Sequence, residues 1–326
     1  MASLKQIVFR LWAFIGLVVM CAVLAWQSDD FLTVSNLMNV MRQVTVNAML
    51  AIGMTFVIIS AGIDLAVGSV LAFSSCVLAL ALRAGCHPAV GVLVALAVGS
   101  ACGTINGLII TRLRLPPFIA TLGMMSMARG IGQVITGGYP VHGLPEGFRV
   151  LGSGYLLDIA PLTRPRFLHL LLENIPVPVV ILLVCAPLAH IALTHTRFGR
   201  YTYAIGGNES AAYLSGIRVA AHKTIIYTMC GGFAGLAAII STARVGAGLP
   251  AAYLGYELDA IAAVVIGGAS LFGGEGTILG TITGALIIGV LKNGLNLMQL
   301  SEYWQTFTIG AVIIGAVTVE RFRHKY

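Results

Sequence analysis

The stretch from Pro88 to Ile110 reads PAVGVLVALAVGSACGTINGLII and contains no charged side chain. A helix of these 23 residues rises about 35 Å, more than the roughly 30 Å hydrocarbon core of a bilayer. Gly99, Gly103 and Gly107 recur every four residues and so share one helix face. Such spacing is typical of close helix packing in membranes, an interpretation that we favour over a pore-lining face. The stretch therefore predicts a tightly packed membrane-spanning helix.

The composition of the whole chain agrees with this interpretation. Of 326 residues, 58% are hydrophobic and only 10% are charged, and the mean hydropathy is +0.94. A soluble domain of this size carries a far larger charged shell. The 19 basic residues occur singly between apolar runs, which favours a role in membrane topology over nucleic-acid binding. The six cysteines show no CxxC or Cys/His spacing, so neither a disulfide framework nor a metal site is expected.

Apolar runs between polar or Pro/Gly breaks predict an all-α, polytopic membrane protein with about ten transmembrane helices. The eighth run is short enough to be re-entrant. The predicted spans are residues 9–26, 44–60, 64–82, 88–110, 118–136, 176–193, 222–243, 258–270, 277–294 and 305–319.

Lys and Arg predict the orientation of these spans. The first run follows Lys5 and Arg10 and resembles a signal peptide, but a retained first span is favoured because the remainder is itself multispanning. With the N-terminus inside, eleven basic residues fall on the cytoplasmic side, seven fall outside, and Arg129 lies within the fifth span. This bias predicts that both termini are cytoplasmic.

An internal repeat predicts two inverted halves of five helices each. The segment GSACGTINGLII, residues 99–110, aligns with GTILGTITGALI, residues 276–287, with six of twelve positions identical. The two copies run in opposite directions in the predicted topology, as an inverted repeat requires. The halves are about 1–137 and 176–326 within a single domain, 1–326. Chance similarity between glycine-rich membrane helices remains the alternative.

Motifs for covalent chemistry are missing from the sequence. The glycine-rich segment 272–277, FGGEGT, lacks the lysine of a P-loop, and no His-Glu-x-x-His occurs. We therefore expect no catalytic residue and no ATP site in this chain. Arg129 is a functional candidate because a charge inside a span is costly unless it is paired or hydrated. The alternative is that it hydrogen-bonds neighbouring helices.

The longest inner loop, residues 194–221, predicts a short surface helix. Asn208 suits an N-cap, Glu209 lies in the positively polarised first turn, and Gly216 suits a left-handed helix end. A rigid projection of this kind is able to dock into a second protein. An ordinary connector is the alternative.

Several motifs give the chain a family resemblance. The segment AIGMTFVIISAGIDLAVGS, residues 51–69, resembles the signature of the ribose-type permeases of ABC sugar importers. Further matching motifs follow in order: residues 117–122, PFIATL; 129–130, RG; 196–200, TRFGR; 204–209, AIGGNE; 256–262, YELDAIA; and 293–297, NGLNL.

The resemblance implies an inner-membrane homodimer in contact with lipid, a cytoplasmic ATPase that holds ATP and Mg, and a periplasmic sugar-binding protein. It implies no cofactor on this chain and no nucleic-acid partner. It also implies that the loop contains the coupling helix that inserts into the ATPase. The coupling residues would be Gly206, Gly207, Asn208, Glu209, Ser210, Ala211, Ala212 and Gly216.

A monosaccharide, with ribose as the first expectation, needs hydroxyl-compatible groups along its path. Small polar side chains inside the spans provide them, although such groups also bridge helices. Asp64 and Asp259 join the candidates because they lie at related places in the two halves. The candidate pathway residues are Asn47, Thr55, Asp64, Ser69, Thr121, Arg129 and Asp259. The alternatives are a permease for allose, galactose or xylose and an ion-coupled secondary transporter, although the spans lack the acidic and histidine chain of a proton relay.

Overall fold

The computed structural model describes residues 4–156 and 175–325. These residues form thirteen α-helices and no β-strand apart from two isolated bridges. The helices are α1 (Leu4–Gln27), α2 (Val34–Ile59), α3 (Val67–Arg83), α4 (Pro88–Arg112), α5 (Pro117–Thr136), α6 (Glu146–Ser153), α7 (Val177–His195), α8 (Arg197–Gly207), α9 (Glu209–Leu214), α10 (Val219–Val245), α11 (Tyr256–Ile266), α12 (Ile278–Leu297) and α13 (Glu302–Lys325).

Each of the ten predicted spans coincides with a helix. Six helices, α2, α4, α5, α7, α10 and α12, are long and apolar enough to cross a membrane. Shorter apolar helices occupy Phe14–Gln27, Val67–Arg83 and Tyr303–Thr318. The eighth predicted span corresponds to α11, which has 11 residues. The all-α polytopic fold is confirmed, whereas the number of ten crossings stays a prediction.

Helix α2 begins earlier than its predicted span. Thr33 caps this helix, since its hydroxyl accepts a hydrogen bond from the Asn36 N–H at 3.3 Å. Residues 34–43, which precede the predicted span, are therefore part of the same helix. The cap starts the helix at Val34, so Arg42 falls within α2.

The chain divides into two compact units. Unit A contains the chain up to Gly62, Leu188–Val219 and the chain from Leu258 onward, while unit B contains the described residues between Ile63 and Pro187 together with Ala220–Glu257. Each unit draws on both predicted halves of the sequence. The inverted arrangement of those halves stays a prediction.

In unit B, the glycine face of α4 packs directly against the backbone of α10. An added Cβ at Gly103 would collide with the Tyr227 carbonyl, and one at Gly99 would collide with the Gly231 carbonyl. The hydroxyls of Thr104 and Thr228 meet at 2.8 Å across the same interface. Close packing, rather than a pore-lining role, is therefore confirmed for the α4 glycines.

In unit A, α12 makes a similar contact through fewer glycines. Gly280 lies against the Gly267 backbone and Gly284 lies against the Ala263 carbonyl. The alignment of Gly276 with Gly99 predicts a third glycine on this helix face, and that prediction is wrong because Gly276 precedes the helix and has φ +155°. Gly276 therefore belongs to the turn that leads into α12 and not to the glycine face of the helix.

The threonines at equivalent places in the repeat make equivalent contacts. Thr281 aligns with Thr104, and its hydroxyl lies 2.7 Å from that of Thr55 in α2. The Thr104 hydroxyl makes the corresponding contact with Thr228 in α10. In each unit, a repeat helix is therefore joined to a neighbouring long helix through paired threonine hydroxyls.

Replacing Gly103 by Ala should destabilise the protein. The new methyl group would press on the Tyr227 carbonyl and separate α4 from α10. We expect the free energy of unfolding to fall by about 1–3 kcal/mol, the usual cost of overpacking. Thermal unfolding in detergent measures this change. The matched control is Gly123→Ala in α5, where an added Cβ meets nothing within 4 Å; an equal loss in both variants would contradict the packing interpretation.

Candidate coupling and translocation sites

The loop after α7 folds into a compact projection made of α8, α9 and the turn at Gly216, which we term the knob. Asn208 is the N-cap of α9, and its Oδ1 accepts a hydrogen bond from the Ala211 N–H at 2.9 Å. Glu209 occupies the first turn of α9, and Gly216 adopts φ +83°. The predicted cap and left-handed glycine are both confirmed. Their role in coupling stays a prediction.

A small apolar core supports the knob from within. Ile205, Ala212 and Val219 are buried together, with Ile217 packed against them. This core joins α8 to α9 and to the start of α10. The knob is therefore held as one body by side-chain packing as well as by its caps.

The outer surface of the knob exposes large apolar side chains. Leu214 is 84% exposed and Tyr213 is 70% exposed. These two residues, with Glu209, Ser210 and Val219, line a groove of about 510 Å³. Gly207 is exposed, whereas Gly206 is buried beneath the same turn. An exposed apolar tip beside a groove has the character of a docking surface.

Arg129 and Ser69, two of the predicted pathway residues, contact each other in unit B. The Arg129 guanidinium donates to Ser69 Oγ through Nη2 at 3.0 Å and through Nε at 3.3 Å. Ser69 is fully buried and Arg129 is half-buried. The structure thus gives Arg129 a side-chain hydroxyl as acceptor, which compensates part of the cost of placing its charge in a span.

Asp64 and Thr121, also in unit B, are both buried. Asp64 lies in the turn before α3, where its Oδ1 accepts the Ala66 N–H at 2.9 Å. Thr121 donates its hydroxyl to the Pro117 carbonyl at 2.9 Å. Both polar groups are satisfied by the backbone near them, so their burial is compatible with a structural role.

Unit A holds the other candidates, Asn47, Thr55 and Asp259, all of them buried. Thr55 donates to the Ala51 carbonyl at 2.7 Å and meets Thr281 as described above. Asn47 Oδ1 is buried and has no hydrogen-bond partner among the described residues. Asn47 is thus the candidate whose polar atom is left available for another group.

Asp259 forms an ion pair with Lys292 of α12. Asp259 also differs from Asp64 in position, since it lies within the first turns of α11 rather than ahead of its helix. The neighbouring Asn293 exchanges hydrogen bonds with Asn36 of α2, at 2.7 and 3.1 Å between side-chain amides. Sequence reasoning missed this polar layer, although a Lys-Asn pair inside an apolar span was a usable signal.

Metal-binding clusters of three or more His, Cys, Asp or Glu side chains are absent from residues 4–156 and 175–325. The basic stretch 164–166, which the sequence places in an outer loop, lies outside the described residues. The candidate sites therefore consist of a protruding knob and of polar groups distributed through the helices of each unit.

The membrane-spanning helices and the capped knob occur together in a chain that matches a known family along its length. The family model described as branched-chain amino acid transport system / permease component covers residues 36–317. The chain belongs to this permease family. Within it, the chain is a ribose-type permease subunit of the ABC sugar importers, a multi-pass protein of the inner membrane.

Curated relatives align with nearly the whole permease. It is 45% identical over 307 residues to the ribose import permease protein RbsC of Escherichia coli (strain K12), covering 94% of this chain and 92% of the relative. Identity to RbsC of Bacillus subtilis (strain 168) is 42% over 314 residues, with 96% and 92% covered. Identity to the D-allose transport system permease protein AlsC of E. coli is 39% over 298 residues, with 91% and 86% covered. No solved structure matches the chain.

Breaking the Asp259–Lys292 pair should destabilise the permease. Asp259→Asn leaves the Lys292 ammonium without its carboxylate in a site where the lysine side chain is only 22% exposed. We expect a loss of about 3–5 kcal/mol, the usual cost of breaking a buried pair. The melting temperature in detergent measures this loss.

The double variant Asp259→Leu/Lys292→Met is the matched control, because it replaces both charges of the pair by apolar side chains. It should recover most of the stability. If the double variant were stable but unable to transport, Asp259 or Lys292 would have a role in the pathway; if it were no more stable than the single variant, the ion-pair explanation would be wrong.

Proposed function

We propose that this permease forms a homodimer that imports ribose with a cytoplasmic ABC ATPase and a periplasmic sugar-binding protein. ATP and Mg bind to the ATPase, while this chain binds no cofactor and hydrolyses nothing. The observation that carries the proposal is the rigid, apolar-tipped knob in a chain that aligns end to end with sugar-import permeases.

Ribose is proposed as the sugar on the strength of the sequence similarity. The chain shares 45% and 42% identity with two permeases named for ribose import and 39% with one named for D-allose transport. A neutral sugar also suits the candidate path, where uncharged hydroxyl and amide groups predominate. Allose, galactose and xylose remain as alternative substrates.

The knob is the proposed site of coupling to the ATPase. Leu214 and Tyr213 would enter a cleft of the partner, while Glu209 and Ser210 line the groove beside them. The proposed coupling residues are those from Gly206 to Ala212, together with Gly216. Because α9 is held by its own apolar core, a displacement of its tip moves the knob as a rigid body instead of bending it.

Transport would follow alternating access. ATP binding closes the ATPase pair, the knobs move with it, and the permease subunits expose the path to one side and then the other. Both termini lie in the cytoplasm in this proposal, which the distribution of Lys and Arg supports. The equivalent hydroxyl pairs at Thr104 and Thr281 support two related halves.

Uptake by the reconstituted transporter tests the proposal. Sealed vesicles carrying this chain, the ATPase and the binding protein should accumulate labelled ribose only when ATP is supplied on the ATPase side. Omission of any one component should abolish uptake. Allose, galactose and xylose serve as competing labels and would reassign the sugar if one of them were preferred. Uptake by this chain alone, driven by an ion gradient, would establish a secondary transporter instead.

Leu214→Asp should prevent the ATPase from docking. The side chain is 84% exposed, so the charge costs the isolated permease little, but it would be buried without a partner in the complex. We expect the affinity for the ATPase to fall about tenfold or more, as for other hot-spot residues. Co-purification and ATP-driven uptake measure this effect. Leu214→Ala is the matched variant, because it shortens the same side chain without adding a charge, and it should bind the ATPase more tightly than Leu214→Asp. Equal binding by the wild-type permease and both variants would contradict docking at this tip.

A further inference from the structure

The inner side of the knob rests on two other segments of unit A. The first is the end of α2, at Ile59, and the second is the turn formed by residues 273–276, which we term the glycine turn. The Gly274 N–H donates to the Ile59 carbonyl at 2.9 Å, which ties the two segments together. Gly273 and Gly274 reach this arrangement with φ of +89° and +76°.

Gly206, in the last turn of α8, lies directly on this pair of segments. An added Cβ at this position would collide with the Ile59 carbonyl and would stand 2.6 Å from the Gly274 nitrogen. Neighbouring Gly207 faces the opposite way, and an added Cβ there meets nothing within 4 Å. The requirement for glycine at position 206 therefore comes from backbone contact between the knob and the two segments.

Two side-chain contacts reinforce the same junction. Tyr203 donates its hydroxyl to the Gly276 carbonyl at 2.7 Å, one residue before Thr277, the N-cap of α12. Phe198 at the start of α8 contacts Phe56 of α2, with ring centroids 5.9 Å apart. The knob is thus connected to the end of α2 and to the beginning of α12.

Helices α2 and α12 are in turn linked to each other. The buried Thr55–Thr281 hydroxyl pair lies about one turn before the end of α2 and one turn after the start of α12. The Asn36–Asn293 pair joins the start of α2 to the end of α12. A displacement of α8 would reach both helices together, because the steps consist of backbone contacts, a ring contact and buried or part-buried hydrogen bonds. Packed interiors of this kind shift as units rather than deform continuously.

We propose that the contact of α8 with Ile59 and the glycine turn is the joint through which the ATPase moves α2 and α12, with Gly206 and Tyr203 as its positioning residues. This inference rests on the proposed importer function. The knob tip receives the force from the partner, and the joint delivers it to α2, which carries the candidate pathway residues Asn47 and Thr55, and to α12, whose Lys292 pairs with the candidate Asp259. Loss of the joint should leave docking intact and lower the amount of sugar moved for each ATP hydrolysed.

The test uses the complete transporter in vesicles, with assembly, ATP hydrolysis and sugar uptake measured on the same preparation. Tyr203→Phe removes only the hydroxyl bonded to Gly276. We expect normal assembly and continued ATP hydrolysis, with sugar transported per ATP reduced about fivefold, the factor that corresponds to one hydrogen bond. Gly206→Ala should reduce the ratio about tenfold or more, because α8 must move away from the Ile59 backbone.

Two further variants make the outcome specific. Gly310→Ala in α13, where an added Cβ meets nothing within 4 Å, should leave transport per ATP unchanged. Gly123→Ala in α5, where an added Cβ also meets nothing within 4 Å, should leave it unchanged as well, and a loss in either control equal to that of Gly206→Ala would overturn the joint. If Gly206→Ala fails to assemble, Tyr203→Phe decides alone, and a wild-type ratio in that variant would overturn the proposal. A wild-type transporter without ATP-driven uptake would instead overturn the importer function itself.

Discussion

The absence of water from the bilayer core is the constraint on which the rest of this structure depends. Backbone N–H and C=O groups must be satisfied within each spanning segment, so each predicted span is built on a helix. The hydrophobic effect does not drive such helices together, and close packing has to do so. Gly103 against Tyr227 and Gly284 against Ala263 are the places where this packing brings backbone onto backbone.

Polar side chains then fix which helices meet and in what register. Each is costly inside a membrane unless it is paired, and the structure pairs Thr55 with Thr281, Asp259 with Lys292 and Arg129 with Ser69. A slip of one residue along either helix would separate the two members of each pair. The same groups that suit a sugar path therefore also hold each unit together, and only variants that separate stability from transport distinguish the two roles.

The knob follows the opposite physical rule. Its core, around Ile205 and Ala212, is stabilised by the burial of apolar side chains, as in a water-soluble protein. Its tip keeps Leu214 exposed. The backbone contact at Gly206 places this small body on the ends of two long membrane helices. A small body with an exposed apolar tip is thereby attached directly to membrane helices, as the proposed conversion of ATPase motion into transport requires.

The sequence by itself determined what depends on local chemistry. Apolar length located the helices, and the type of residue at Asn208 and Gly216 determined the cap and the turn of the knob, because capping and left-handed φ involve only neighbouring residues. The early start of α2 follows from the local cap at Thr33, whereas tertiary structure alone decided the packing around Gly276, the partner of Asp259 and the crowding at Gly206. Those tertiary features depend on segments up to about 200 residues apart in the chain. The periodicity of one helix does not indicate which distant segment packs against that helix.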